Sequence, residues 1–131
     1  MLVDIWQHKR ITRIWYPADF RFWTGRLTPA ECADIRAFIN QLIDAKIAIG
    51  KPFTTTFDNP GEDWSNTPLE WIWLKATRQS VRQAAMCYGL FCQEVVMARP
   101  ETWTSEHFEK DGWPIPGRTY FQVHSRSAKA S

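Results

Sequence analysis

Residues 28–50 read TPAECADIRAFINQLIDAKIAIG, and this stretch decides the fold class. Thr28 and Glu31 have the spacing of a capping box, and Pro29 stands between them at a position that suits the start of a helix. Apolar side chains then recur every three to four residues until the glycine that closes the stretch. The pattern predicts an amphipathic helix over about residues 29–48.

A second segment opens with the same Thr-Pro-x-Glu pattern at Thr67 and predicts a helix over about residues 68–98. Without a break, a helix of that length would measure about 45 Å, more than the width of a domain this size. We therefore expect a kink or break near residues 77–80, where Ser80 and Gln83 offer another capping box.

The second helix is apolar on nearly all of its sides, which is typical of a helix buried on two faces. We expect Ala85 and Phe91 to lie in the core, between the first helix and a sheet. Met86, Leu90 and Met97 offer an alternative, because a stripe of methionine and leucine could form a homodimer contact.

The remaining segments have extended patterns. Residues 3–6 and 11–16 flank a polar turn and predict a β-hairpin. Further strand candidates are residues 20–23, 53–57 and 119–124. A short helical turn is expected after Thr104, and the two prolines predict irregular backbone over residues 113–117.

Length and composition favour one globular domain. The chain has 131 residues, of which 44% are hydrophobic and 23% charged. We predict an α+β fold in which a small, mostly antiparallel sheet packs against the two main helices, over residues 1–124, followed by a flexible tail over 125–131. No segment resembles a leader or a membrane span, so we expect a cytoplasmic protein in which the three cysteines are core thiols.

The chain contains none of the common nucleophile, phosphate-binding or metalloprotease motifs, so we expect no enzyme, no cofactor and no metal. One region leaves an enzymatic alternative open. His107 lies in an acidic stretch and could act as a general base. Three carboxylates gather around a Pro-Gly turn at Asp58, Glu62 and Asp63. A small enzyme or a small-ligand site would be placed there.

Tryptophan content and charge distribution point instead to binding. The chain has 8 tryptophans, its net charge is +2, residues 1–30 and 118–131 each carry +3, and the middle is acidic. Tryptophan and arginine are enriched at the centres of binding interfaces. The candidate binding residues, taken from the basic ends, are Arg13, Trp15, Arg21, Trp23, Arg118 and Tyr120.

These observations favour a non-catalytic macromolecule-binding protein, a compact accessory or inhibitor-like protein that contacts a protein partner through tryptophan and arginine. The first alternative is a nucleic-acid-binding protein that uses its basic N- and C-terminal strands as an aromatic and basic platform. Salt dependence separates the two, because contacts with phosphate release counterions.

Overall fold

The computed structural model describes residues 1–55, 64–110 and 113–124, with the backbone alone at 107–110 and 113–116. The helices are α1 (Pro17–Thr24), α2 (Pro29–Ala48), a π-helical segment (Ile72–Ala76) and α3 (Val81–Ala98). The strands are β1 (Leu2–Asp4), β2 (Lys9–Ile11), β3 (Phe53–Thr54), β4 (Trp103–Lys110) and β5 (Trp113–Gln122). The predicted tail at 125–131 lies outside the described residues.

The five strands form one sheet in the order β2-β1-β4-β5-β3. The pairs β1–β2, β4–β5 and β3–β5 are antiparallel, whereas β1 runs parallel to β4, with Leu2 opposite Trp103. The Met1 nitrogen strengthens this parallel junction, because it donates to the carbonyls of Arg99 at 2.5 Å and Glu101 at 2.7 Å. The predicted α+β fold with a mostly antiparallel sheet is confirmed.

Helix α2 begins at the predicted capping box. The Thr28 hydroxyl accepts from the Glu31 backbone N–H at 3.1 Å, and the Glu31 carboxylate accepts from the Thr28 N–H at 2.8 Å. Two donors that a helix start leaves unsatisfied are paired in this way. The same carboxylate binds the Lys75 ammonium at 2.7 Å and so connects α2 to the π-helical segment.

The second predicted helix is interrupted where we expected. Its first part ends as the π-helical segment, closed by a 3.0 Å hydrogen bond from the Thr77 N–H to the Ile72 carbonyl. Arg78 and Gln79 then take left-handed backbone, with φ of 51° and 67°. Ser80 caps the start of α3 by accepting from the Gln83 N–H.

The cap predicted at Thr67 is wrong. The Thr67 hydroxyl donates to the Trp64 carbonyl at 2.8 Å and stabilises a turn, and helical backbone starts at Glu70. The side chain is turned towards Trp64, and the structure shows no hydrogen bond from the backbone N–H groups that follow to this hydroxyl.

Three further local predictions are corrected by the structure. Residues 20–23 lie in α1 and not in a strand, because Pro17 starts a helix in which Phe20 and Trp23 share the buried side. Thr104 lies in β4, and residues 113–117 lie in β5, opposite the end of β4. Proline is tolerated at the margins of a sheet, and the β4–β5 pairing shifts register after His107, near the prolines.

One hydrophobic core lies between the sheet and the helices. Phe20 and Phe91 pack edge to face across α1 and α3, with ring centroids 5.0 Å apart, and Phe53 stacks on Tyr120 from the neighbouring strand. All three cysteines are buried and outside disulfide bonds, and burial raises the pKa of the Cys87 thiol well above its ordinary value. Within the described part of the chain, none of the helices has the length and apolarity to span a bilayer.

Candidate functional site

A buried glutamine brings several predicted binding residues together. Gln93 on α3 has no exposed surface. Its Nε2 donates to the Arg13 carbonyl at 2.9 Å, and its Oε1 accepts from the Trp15 N–H at 3.0 Å. The Arg118 guanidinium on β5 lies over the Trp15 ring, 3.8 Å from its centroid. The Trp15 ring and the Arg118 guanidinium therefore meet where the N-terminal segment crosses α3, and Arg13 joins this contact through its backbone carbonyl.

Two predicted binding residues lie in the core. Trp23 is 4% exposed, and its Nε1 donates to Gln83 Oε1 at 3.3 Å, which ties α1 to the start of α3. Tyr120 is fully buried, and its hydroxyl has no hydrogen-bond partner in the described part of the protein. Burial raises the pKa of that hydroxyl. Neither side chain is placed to contact a partner, which corrects the prediction, because both fill the interior between the sheet and the helices.

Arg21 is exposed but belongs to a different surface. It lies on α1, where Phe22 and Arg26 are its neighbours. The structure therefore does not place it with Trp15 and Arg118 in a single platform. The predicted alternation of aromatic and basic side chains along a sheet fails at α1, because that segment is helical.

Among the side chains that the structure describes, the most exposed aromatic one was not a predicted binding residue. Trp6 is 82% exposed, and Ile5 beside it is 41% exposed. The sequence pattern placed residue 6 in a strand, but β1 ends at Asp4. The Asp4 Oδ1 accepts from the backbone N–H groups of Trp6 at 2.9 Å and Gln7 at 3.2 Å, so the chain turns and presents the indole to solvent.

The predicted homodimer stripe is divided between surface and core. Leu90 is buried, Met97 packs against the core, and Met86 is 38% exposed. Ala85, which we expected in the core, is exposed, whereas Phe91 is fully buried as expected. The elements that pack on α3 cover one side of its first half and leave Ala85 on the other side, which explains the difference.

The enzymatic alternative falls on residues that the structure does not describe. Asp58, Glu62 and Asp63 lie in the segment between residues 55 and 64, and at His107 the backbone alone is described. Among the described residues, no group of three or more His, Cys, Asp or Glu side chains is placed to share a metal ion.

A cavity of about 440 Å³ lies between α2 and the C-terminal end of α3. On one wall the Arg36 Nε donates to Glu94 Oε1 at 2.6 Å, and this hydrogen bond raises the pKa of Arg36. On the other wall Arg99 donates to Glu101 and Asn40. The hydrogen bond from Arg99 also lowers the pKa of Glu101. The charged groups of the cavity therefore pair with one another. The contacts of Arg36 with Glu94 and of Arg99 with Asn40 connect α2 to the C-terminal end of α3.

Comparison with known proteins assigns no relative to this arrangement. No family model, no curated protein and no solved structure matches the chain.

Proposed function

We propose that this chain is a non-catalytic binding protein, a compact accessory or inhibitor-like protein that contacts a protein partner through exposed tryptophan and arginine side chains. The observation that supports this most strongly is the exposure of Trp6 on the β1–β2 turn. The proposal places the protein in the cytoplasm, where its three buried thiols would remain reduced.

An exposed indole is a large source of binding energy. An indole side chain has roughly 200 Å² of surface to bury, and each Å² contributes about 25 cal/mol. Burial of the 82% that is exposed would release about 4 kcal/mol. The Asp4 carboxylate fixes the turn through two hydrogen bonds. A side chain presented on a preformed turn loses less conformational entropy when it binds.

The residues after the turn supply the arginine and lysine part of the proposed interface. Lys9 and Arg10 are exposed on β2, and Arg13 follows them at the Gln93 contact. Arginine is common at the centres of interfaces. Positive charges at the rim of an interface attract an acidic partner during its approach. We call the exposed residues Trp6, Lys9, Arg10 and Arg13, on the β1–β2 hairpin and the segment after it, the hairpin surface. Lys9 and Arg10 are consecutive in β2, so their side chains lie on opposite faces of that strand.

The other two predicted modes of binding have less support. A nucleic-acid platform on the terminal strands would need exposed aromatic rings to stack bases, and Trp23 and Tyr120 lie in the core. A homodimer through Met86, Leu90 and Met97 would need a continuous apolar stripe, and Leu90 is buried.

The test compares the truncation of two exposed hydrophobic side chains, one on the proposed interface and one away from it. Wild-type protein, Trp6→Ala and Ile49→Ala are each immobilised and exposed to lysate of the native host, and retained proteins are quantified by mass spectrometry. Ile49 is a suitable control because it is 60% exposed at the end of α2. We expect a protein that wild type and Ile49→Ala retain and Trp6→Ala loses.

Titration of that protein against the purified variants then measures affinity. Truncation of a binding hot spot costs at least about 2 kcal/mol, so Trp6→Ala should weaken binding roughly thirtyfold. Equal retention of every protein by wild type and Trp6→Ala would contradict the proposal. Circular dichroism verifies that both variants keep the wild-type fold.

A further inference from the structure

A second surface is built from two segments that carry basic residues and no acidic ones. Residues 20–30 contain Arg21 and Arg26, residues 71–93 contain Lys75, Arg78 and Arg82, and neither segment contains an aspartate or a glutamate. Lys75 is neutralised by the Glu31 carboxylate from α2. The other four side chains are arginines that form no ion pair among the described residues, so they give this part of the molecule a positive charge.

Specific contacts bring the two segments together. The Arg26 guanidinium lies over the Phe22 ring, 4.2 Å from its centroid, and its Nη1 donates to the Ala76 carbonyl at 2.8 Å. The hydrogen bond from Trp23 Nε1 to Gln83 Oε1 holds α1 against the start of α3. The end of the π-helical segment and both helices therefore contribute to one surface.

The backbone after the π-helical segment presents Arg78 on this surface. Arg78 and Gln79 both have left-handed backbone, and the Gln79 N–H donates to the Trp73 carbonyl at 2.6 Å. The hydrogen bond holds a conformation that non-glycine residues seldom adopt, and both side chains remain exposed. We call the set Phe22, Arg26, Arg78 and Arg82 the arginine surface.

Exposed apolar side chains lie on the same three elements. Phe22 on α1 is 58% exposed, Leu74 in the π-helical segment 47%, and Val81 at the start of α3 74%. Aliphatic side chains between arginines are suited to a polypeptide that offers both carboxylates and apolar groups. Stacking of nucleic-acid bases needs open aromatic faces, and Arg26 already covers one face of Phe22.

We propose that the arginine surface binds an acidic protein segment, with carboxylates on Arg78 and Arg82 and an apolar side chain against Phe22. This surface differs from the hairpin surface, and its occupant is identified by charge complementarity. The inference does not depend on the role of Trp6.

The experiment uses a short fluorescein-labelled synthetic peptide of glutamate and leucine, with a lysine and leucine peptide and a single-stranded RNA as competing probes. Binding is followed by fluorescence anisotropy at low and moderate salt. The test variant is Arg78→Glu with Arg82→Glu, two exposed side chains for which the structure shows no contact with the core. The matched control is Lys46→Glu with Lys51→Glu, in the last turn of α2 and just after that helix, which changes the net charge equally outside both the arginine surface and the hairpin surface.

We expect the acidic peptide to bind wild type and the control variant, and to lose about tenfold or more in affinity with the test variant. Phe22→Ala should weaken the acidic peptide by a smaller factor without changing the response to salt. Equal loss in the two double variants would overturn the proposal, because net charge alone would then explain binding. Absence of binding to wild type, or tighter binding of the RNA than of the acidic peptide, would overturn it as well.

Discussion

Gln93→Leu is the substitution that most directly tests how the N-terminal segment is held. In the native protein Gln93 donates to the Arg13 carbonyl and accepts from the Trp15 N–H. Leucine has a similar size and neither polar group, so the substitution removes both hydrogen bonds while it keeps the core filled. A carbonyl and an N–H, both in partly buried contacts, then lose their partner.

The expected loss follows from these two contacts. An unsatisfied buried donor or acceptor costs about 1–3 kcal/mol, and partial exposure places each group towards the lower end. Gln93→Leu should therefore lower the free energy of unfolding by about 2–4 kcal/mol. Release of the segment should also separate the Trp15 ring from the Arg118 guanidinium, which lies 3.8 Å from its centroid.

Urea denaturation measures the first effect and near-ultraviolet circular dichroism the second. Gln41→Leu is the control, because Gln41 is an exposed glutamine in α2. It should change the free energy of unfolding by no more than about 0.5 kcal/mol. A Gln93→Leu protein as stable as this control, with an unchanged spectrum, would refute the role assigned to Gln93.

Two other predictions concern the core and the start of α2. Phe91→Ala should lower the free energy of unfolding by about 3–5 kcal/mol, because it opens a cavity beside Phe20. Ala85→Asp lies on the exposed side of α3 and should be tolerated. Equal stability of the two variants in urea would contradict the burial pattern. The pKa of Glu31 lies below its ordinary 4.5, mainly because the carboxylate accepts a hydrogen bond from the Lys75 ammonium and secondly because it accepts one from the Thr28 N–H. The ionised carboxylate therefore stabilises the fold above pH 4.5, and this stabilisation is lost as the pH falls through the lowered pKa. The difference in unfolding free energy between wild type and Glu31→Gln should thus shrink only on the acidic side, and a constant difference would contradict the assignment.

Helices α2 and α3 were predictable because their signals are local, whereas α1 was expected to be a strand. The Thr28 capping box and the spacing that follows it determine α2 without information from elsewhere in the chain. The same pattern failed at Thr67, where the side chain is turned back and its hydroxyl donates to the Trp64 carbonyl. The break before α3 was predicted from length and from Ser80, but its π-helical form depends on tertiary contacts such as the hydrogen bond from Arg26 to the Ala76 carbonyl.

The candidate sites were harder to predict because tryptophan serves both cores and interfaces. Trp23 and Trp6 both follow apolar residues, yet one is buried and the other exposed. Two signals were present in the sequence. Pro17 marks the start of α1, and Asp4 stands two and three residues before the amides that it binds, which is the spacing of a side-chain-stabilised turn.

The parallel contact between β1 and β4 has a consequence for the order of folding. The Met1 nitrogen reaches a carbonyl 100 positions along the chain, at Glu101. On the ribosome, β1 and β2 can therefore pair with one another long before β4 has been synthesised, and a two-stranded hairpin is marginal in water. Helices α1, α2 and α3 are also synthesised before β4 and can form through local contacts, whereas closure of so long a loop is slow. We therefore expect the sheet to be completed last, and until then the edge of β1 that pairs with β4 would be open to other polypeptides, including a second nascent copy.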